Sequence, residues 1–591
     1  MIKPHSFHIP VMGIGFTIDT PLKVSQYGID SVISLVDDIL QEKLRKMYCA
    51  KYEIPYEEIT DKTEDFRSKR ITSYLNLINE LAHKKFEELK NAASEKSIEI
   101  KKYFDMLPDS SEIKKEFNNL VSKYFNLDEI KNWLHTHLTM GSIDVNIMTK
   151  LDKENYKNEE KLSVEFNDAH SALRGYANSN LNSSIIFSAG MNPKLYSYLE
   201  KFEDFYPDLN GKIKKKIVLK VSDYRSALIQ GKFLAKKGLW VSEYRVESGL
   251  NCGGHAFATD GFLMGPILAE FRDRRNELNE TIHDIFIKAL TDKKRTIPNT
   301  KLPIFISAQG GVGTNEEHQF LIDHYQVDSV GWGSPFLLVP EVTNVDDPTL
   351  NQLVESKEED FYLSNISPLG VPFNTLRGNS KDIERLSFIA KGRPGSACPK
   401  KYLALNNKEF TDNSICVASR QYQYLKLNEL DEKNLDIDQH QDEYQKVVEK
   451  SCICVGLGTS VLLVNNLDTK VEGSGVSICP GPNLAYFSKV MSLKEITDHI
   501  YGRANVIERT DRPHMFIKEL KIYIEYMRNK IREVSAAMSV NQEKYFLSFG
   551  NNLKEGINYY HKLFNDLKES FEEKKFHILN ELEASRETLH L

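Results

Sequence analysis

Three glycine-rich segments and one group of cysteines supply the residue types from which a redox centre can be assembled. The first segment, Val246-Glu-Ser-Gly-Leu-Asn-Cys-Gly-Gly-His255, follows an apolar run and precedes a helical pattern. Paired glycines, Gly253 and Gly254, allow a backbone to approach a planar or anionic ligand closely. His255 beside them can exchange a proton near neutral pH, although a lone histidine also serves as a hydrogen-bonded structural residue. The second segment, Ile306-Ser-Ala-Gln-Gly-Gly-Val-Gly-Thr314, ends an apolar run and opens a helix. Its free N–H groups and the helix dipole suit a phosphate, with Gly310 and Gly311 at the turn. The third, Val330-Gly-Trp-Gly-Ser-Pro-Phe336, ends the next apolar run and contains Gly333. Any one of these could be a tight turn between strand and helix, whereas three in register favour a bound cofactor.

Five of the seven cysteines, Cys398, Cys416, Cys452, Cys454 and Cys479, fall in one stretch on four separate peptides. Seven in a chain this long are too few for a disulfide scaffold, so the clustering points to a metal. Cys398 and Cys479 are each followed by proline, as iron–sulfur ligands often are. Zinc and buried free thiols are the competing readings, and zinc usually takes more widely spaced knuckles than Cys452-Ile-Cys454. If that segment is extended, both thiols share one face and at least one of them ligates. Cys252 stands apart, either as a thiol beside the cofactor or as a small buried residue.

These groups need a scaffold that presents loops at one end. Apolar runs at Ile9-Pro-Val-Met, Asp30 to Val36, Ser184 to Gly190, Lys216 to Val221, Leu239 to Val246 and Leu302 to Ala308 alternate with helical patterns at Tyr224–Lys237 and Pro266–Ala289. That alternation predicts a parallel α/β sheet, with the glycine loops at the strands' C-terminal ends where such sheets bind ligands. Residues 37–150 are charged, with apolar positions at helical spacing (Tyr74, Leu77, Ile78, Leu81; Phe117, Leu120, Tyr124), and read as an all-helical insertion. Residues 376–510 read as an irregular, cysteine-rich region, and 511–591 as two amphipathic helices forming a hairpin. The barrel-forming parts are then 1–36 and 151–375.

The totals narrow the function. The chain has 591 residues and a net charge of −7, which gives no electrostatic reason to propose nucleic acid. The start, Met1-Ile-Lys-Pro-His-Ser-Phe-His, lacks an apolar signal core, and no later run spans a bilayer, so a cytoplasmic protein without membrane contact is expected. Gly456-Leu-Gly lacks the third glycine of a dinucleotide loop, and no C-x-x-x-C-x-x-C of a radical enzyme is present.

Taken in order, Pro10-Val-Met-Gly, Phe187-Ser-Ala-Gly, Glu247-Ser-Gly-Leu-Asn-Cys-Gly-Gly-His, Ser307-Ala-Gln-Gly-Gly-Val and Gly331-Trp-Gly-Ser-Pro-Phe resemble a known pattern. It is that of the nitronate monooxygenase (2-nitropropane dioxygenase-like) family and the related enoyl reductases of polyunsaturated fatty acid synthases. The resemblance covers roughly 5–36 and 184–375. It implies a (β/α)8 TIM barrel and an FMN-dependent oxidoreductase, with Met12 and Gly13 contacting the flavin through backbone and His255 as the catalytic base. It also implies Gly310, Gly311 and Gly333 at the FMN phosphate. Lys220 is then either a partner for the flavin N1/C2=O edge, where positive charge stabilises reduced flavin, or half of a surface ion pair. The family loop usually carries alanine where this chain has Cys252, and the helical insertion and cysteine-rich region lie outside the resemblance.

Combining these readings gives an FMN enzyme working on a small-molecule or acyl substrate. A 4Fe–4S cluster on the cysteines would relay electrons from a redox partner protein, and the chain would pair as a homodimer. The alternative is a flavin-dependent RNA-modifying or macromolecule-binding protein that grips its partner with the helical segments.

Overall fold

A computed structural model describes residues 3–91, 98–123, 127–188, 190–405, 407–534, 538–567 and 570–589. Its centre is a closed barrel of eight parallel strands: β1 Phe7–Ile9, β2 Asp30–Ser34, β3 Ile143–Met148, β4 Ser183–Ser188, β5 Lys215–Val221, β6 Val241–Glu247, β7 Phe305–Gln309 and β8 Ser329–Gly331. Each strand pairs with the next in sequence, and β8 closes onto β1 through Phe7 opposite Val330 and His8 opposite Gly331. With helices between successive strands, this is the expected (β/α)8 barrel. The runs Ile185-Ile186-Phe187 and Ile217-Val218-Leu219 are continuous because such strands are buried on both faces.

Side chains alternate across each strand, and the alternation separates two cores. Val32, Ile186 and Val218 form a cluster of their own, with Val11 against it. Their sequence neighbours Ile33, Ile185 and Ile217 belong to the large core shared with the helices. The smaller cluster therefore faces the barrel interior. A charged layer lies at the strands' N-terminal end, where Lys3 pairs with Asp30 at 2.9 Å and Arg245 with Glu243 at 2.8 Å.

The connection from β2 to β3 carries the helices Asp38–Lys51, Phe66–Asn91, Ile98–Met106, Glu112–Lys123 and Leu127–His137. The expected insertion of 37–150 is thus helical over most of its length but ends too late. Ile143, Val145 and Ile147 belong to β3, whose alternation with Asp144 and Asn146 is a strand period that the helical reading of 37–150 runs over.

The region 376–510 is more regular than its composition suggests. It holds the helices Ser380–Ala390, Arg420–Asp431, Ile437–Val448, Ile453–Val464 and Leu493–Ile500. Ile453–Val464 is buried from Ile453 to Leu462 and lies on the N-terminal glycine segment, where the Gly15 amide donates to Leu457 O at 2.9 Å. A helix apolar on all sides shows no amphipathic period, so it escapes a reading based on periodicity.

At the C-terminus, the two expected amphipathic helices are Met515–Val534 and Val540–Asp566, which bury Phe516, Leu520 and Tyr523 on one and Leu553, Ile557, Tyr560 and Phe564 on the other. A third helix, Glu572–Thr588, follows them, so the expected hairpin has three members among the described residues. Phe571, which fits the periodicity of the second helix, instead sits at the start of the third with φ 61° and packs on Phe320 and His514. Among the described residues no single helix is long and apolar enough to cross a membrane.

Candidate cofactor site at the barrel mouth

A cavity of about 400 Å³ opens at the C-terminal ends of the strands. Its wall contains Met12, Gly13, Lys220, Gly253, Gly254, His255, Gly310, Gly311 and Gly333, so every residue expected to touch a flavin is brought to one place. The reason is topological: each residue ends a barrel strand or begins the loop after it, and parallel strands place those points at one rim.

Lys220 on β5 and Glu247 on β6 form an ion pair of 2.7 Å in this wall, and Gln309 on β7 donates to the same carboxylate. Of the two readings open for Lys220, the ion pair is present, but it lines the cavity rather than the outer surface. Gln309 Oε1 and Asn251 Oδ1 are buried without a hydrogen-bond partner among the described residues, and both residues line the cavity through other atoms.

The second glycine loop is held by its neighbours. Gly310 and Gly311 have φ of 125° and 77°. A Cβ on Gly310 would lie 2.7 Å from Ser248 Cβ, and one on Gly311 2.0 Å from Asn251 Nδ2. Only glycine lets this loop nest against the loop after β6. The helix that follows, Asn315–Asp323, does not offer all its amides to a phosphate. Gly313 N–H donates to Glu317 at 2.9 Å, and Arg512 bridges that carboxylate at 2.8 Å and the Gly311 carbonyl at 2.9 Å. Burial opposes the Glu317 charge, but Arg512 outweighs it and holds the carboxyl down at about 2. The helix terminus is therefore partly neutralised from within, and the Gly310–Gly311 turn and Gly333 remain as backbone in the cavity wall.

Met12 spends its amide on Thr17 Oγ1 at 3.1 Å, so of the expected backbone contact from Met12 only its carbonyl is left. The glycines of the first loop also divide their work. A Cβ on Gly253 would lie 2.6 Å from Cys479 O, so that glycine admits a neighbouring chain segment. Gly254, at φ 73°, has nothing nearer than 4.0 Å and opens toward the cavity.

The pair Gly254–His255 forms a short strand beside Phe373–Leu376, itself paired with Phe361–Ser364. This small sheet sets the His255 ring at 2.7 Å from Ser367 Oγ and edge-on to Phe373. Burial lowers its pKa to about 4, so the imidazole is neutral at physiological pH. Cys252 is buried, its thiol directed at the Gly249 carbonyl at 3.8 Å, and burial pushes its pKa well up. Its side chain belongs to the cavity wall as well as to the buried core.

The cysteines separate into two sets. Cys398 is in thiol–thiol contact with Cys416 and Cys452, and Cys452 with Cys454. All four are buried, and Cys398 adopts φ 49°, strained for a residue other than glycine. Cys479 lies elsewhere, against the Gly13 backbone in the cavity wall, so the expected five-member group is a group of four. Cys452 caps the Ile453–Val464 helix and Cys454 is in its first turn, so the C-x-C segment is not extended. Among the described residues no three His, Cys, Asp or Glu side chains are disposed to hold one metal ion.

Sequence reasoning passed over Glu247, Gln309, Asn251 and Arg512. Glu247 and Gln309 end strands adjacent to glycine loops, a position that could have marked them. Arg512 lies far along the chain and leaves no local signal.

No family model and no curated protein matches this chain. Solved structures do show a likeness. One is the enoyl reductase domain of MlnA from the macrolactin biosynthesis cluster of Bacillus amyloliquefaciens, with 15% identity over 72% of this chain and 88% of that one, at a TM-score of 0.32. Another is nitroalkane oxidase from Streptomyces ansochromogenes, with 9% identity over 85% of this chain and 96% of that one, at a TM-score of 0.34. Likenesses this distant carry no inference about chemistry. The barrel and its mouth must carry it.

Proposed function

We propose that this chain is an FMN-dependent oxidoreductase of the nitronate monooxygenase and enoyl reductase type, acting on a small-molecule or acyl substrate at the barrel mouth. The observation that supports it is that Lys220, His255, Gly310, Gly311 and Gly333 wall one cavity at the strands' C-terminal ends. Bound FMN would supply hydride or single-electron transfer.

The chain's own groups would do the rest. Gly310, Gly311 and Gly333 offer backbone at close approach for the phosphate. Lys220, tethered by Glu247, holds a fixed positive charge in the wall. His255, neutral and oriented by Ser367, is placed to take a proton from a substrate carbon acid.

A 4Fe–4S cluster on Cys398, Cys416, Cys452 and Cys454 is the finer part of this proposal. Their mutual contact supports it, with the Lys381 and Lys400 charges acting on Cys452 and Cys454. Binding would have to draw the thiols around the cluster, because they do not converge as they stand, and no step is assigned to it. Absorbance of protein purified without oxygen tests the reading: released FMN in equimolar amount is expected, followed by activity on nitronates or enoyl thioesters. A colourless protein that cannot be loaded with FMN would sink it.

A further inference from the structure

Glu519, on the helix Met515–Val534, is 2% exposed and lies directly behind the loop that carries His255. Its Oε1 accepts from Ser248 Oγ at 2.5 Å. Its Oε2 accepts from the Met264 amide at 2.9 Å and the Tyr560 hydroxyl at 3.4 Å. The titratable groups that feel its charge are Tyr523 on its own helix, Tyr560 on Val540–Asp566, Tyr325 after Asn315–Asp323, and Cys252 in the loop. None of these is a cation. Burial without a counter-ion raises the Glu519 pKa to about 7.

Ser248 links this carboxyl to the cavity. It lines the wall, its Oγ accepts from the Asn251 amide at 3.2 Å, and its Cβ abuts Gly310. We propose that Glu519 is a positioning residue whose protonation sets the direction of the Ser248 hydroxyl, and with it the arrangement of the loop from Ser248 to His255.

The hydrogen-bond count explains how. A charged Glu519 is acceptor only, so the Ser248 O–H must point back to it. A carboxyl that has gained one proton from solvent donates to Ser248 Oγ instead, while its other oxygen keeps the Met264 amide. Ser248 Oγ then accepts from Glu519 and Asn251, and its own proton turns toward the cavity. The mouth thus gains a hydroxyl donor only when Glu519 is neutral. The importance of that donor for chemistry rests on the proposed cofactor site, but the switch itself does not.

Hydrogen–deuterium exchange of peptides spanning 247–256, corrected for intrinsic rate, tests this on the full chain between pH 6 and 8. Wild type should show a several-fold change in protection centred near pH 7. In E519Q the side-chain carbonyl must serve the Met264 amide, which leaves NH2 facing Ser248 and fixes the neutral arrangement, so the pH step should vanish. S248A, which keeps the carboxylate and its other partners, should lose the step as well and serves if E519Q does not fold. Protection independent of pH in wild type, or an unchanged step in both variants, overturns the proposal. Adding FMN separates the two readings. A step without FMN binding sinks the proposed function alone, and FMN binding without a step sinks this inference alone.

Discussion

Lys220 and Glu247 close an ion pair of 2.7 Å across adjacent strand ends inside the barrel mouth. Because the pair faces the cavity, each partner's removal changes the field there in the opposite sense. K220M leaves the Glu247 carboxylate uncompensated and should weaken FMN binding by about tenfold, about 1.4 kcal/mol. E247Q frees the ammonium and should tighten binding and raise the flavin reduction potential. Fluorescence titration and dye-coupled potentiometry check both signs, and equal losses from both variants would show that the pair only supports the fold.

Gly311 distinguishes a packing role from simple backbone freedom. G311A should abolish FMN binding and lower the melting temperature, since its methyl would lie 2.0 Å from Asn251 Nδ2 at φ 77°. Gly370, at φ 68° with nothing within 4 Å, is the control. G370A should cost only about 1 kcal/mol from the left-handed backbone and leave binding unchanged.

His255 and Ser367 should act as a unit. H255A should lower kcat by about a hundredfold or more while the protein still binds FMN. S367A removes the contact that orients the ring and should lower kcat with little change in KM. As burial holds the imidazole at about 4, the acidic limb of the pH–rate profile should lie well below pH 6 in wild type.

Stability should depend on pH in two opposed ways. Burial lowers His5, His255, His318 and His514 to about 4. The unfolded chain then binds more protons, so stability present above pH 6.5 is lost as pH falls toward 4. Glu519 has the opposite sign. Raised from 4.5 to about 7, it contributes stability below pH 4.5 that is lost as pH rises through 7, worth about 3 kcal/mol. The melting temperature of E519Q minus that of wild type should therefore grow across this window, which differential scanning calorimetry measures.

The cysteines make a prediction about membership. Protein purified without oxygen should contain iron and acid-labile sulfide, lost in C398S and C452S and retained in C479S. Loss in C479S would return that residue to the ligand set, and no iron in wild type would remove the cluster.

Much of the scaffold was legible because the signals are local. Ile185-Ile186-Phe187 and Ile217-Val218-Leu219 announce buried parallel strands, and the glycine pairs after β6 and β7 mark the loops at their ends. β3 and the all-apolar helix Ile453–Val464 escape that reading for two different reasons. β3 alternates apolar and polar residues from Ile143 to Ile147 but follows directly on a long helical pattern that masks it, and the helix is too uniformly apolar to show a period.

The amino-acid sequence alone determined the strand–helix alternation, and so the end of the barrel where Gly253, Gly254, His255, Gly310 and Gly311 would gather. Chain connectivity requires that outcome whatever the packing details. Tertiary structure alone decided which partners those residues keep. It ties Lys220 to Glu247, seats Arg512 on Glu317, moves Cys479 from the thiol group to the cavity wall, and places Glu519 behind Ser248 across 271 residues of chain. Charge compensation and burial depend on distance in space, which spacing along the chain does not encode.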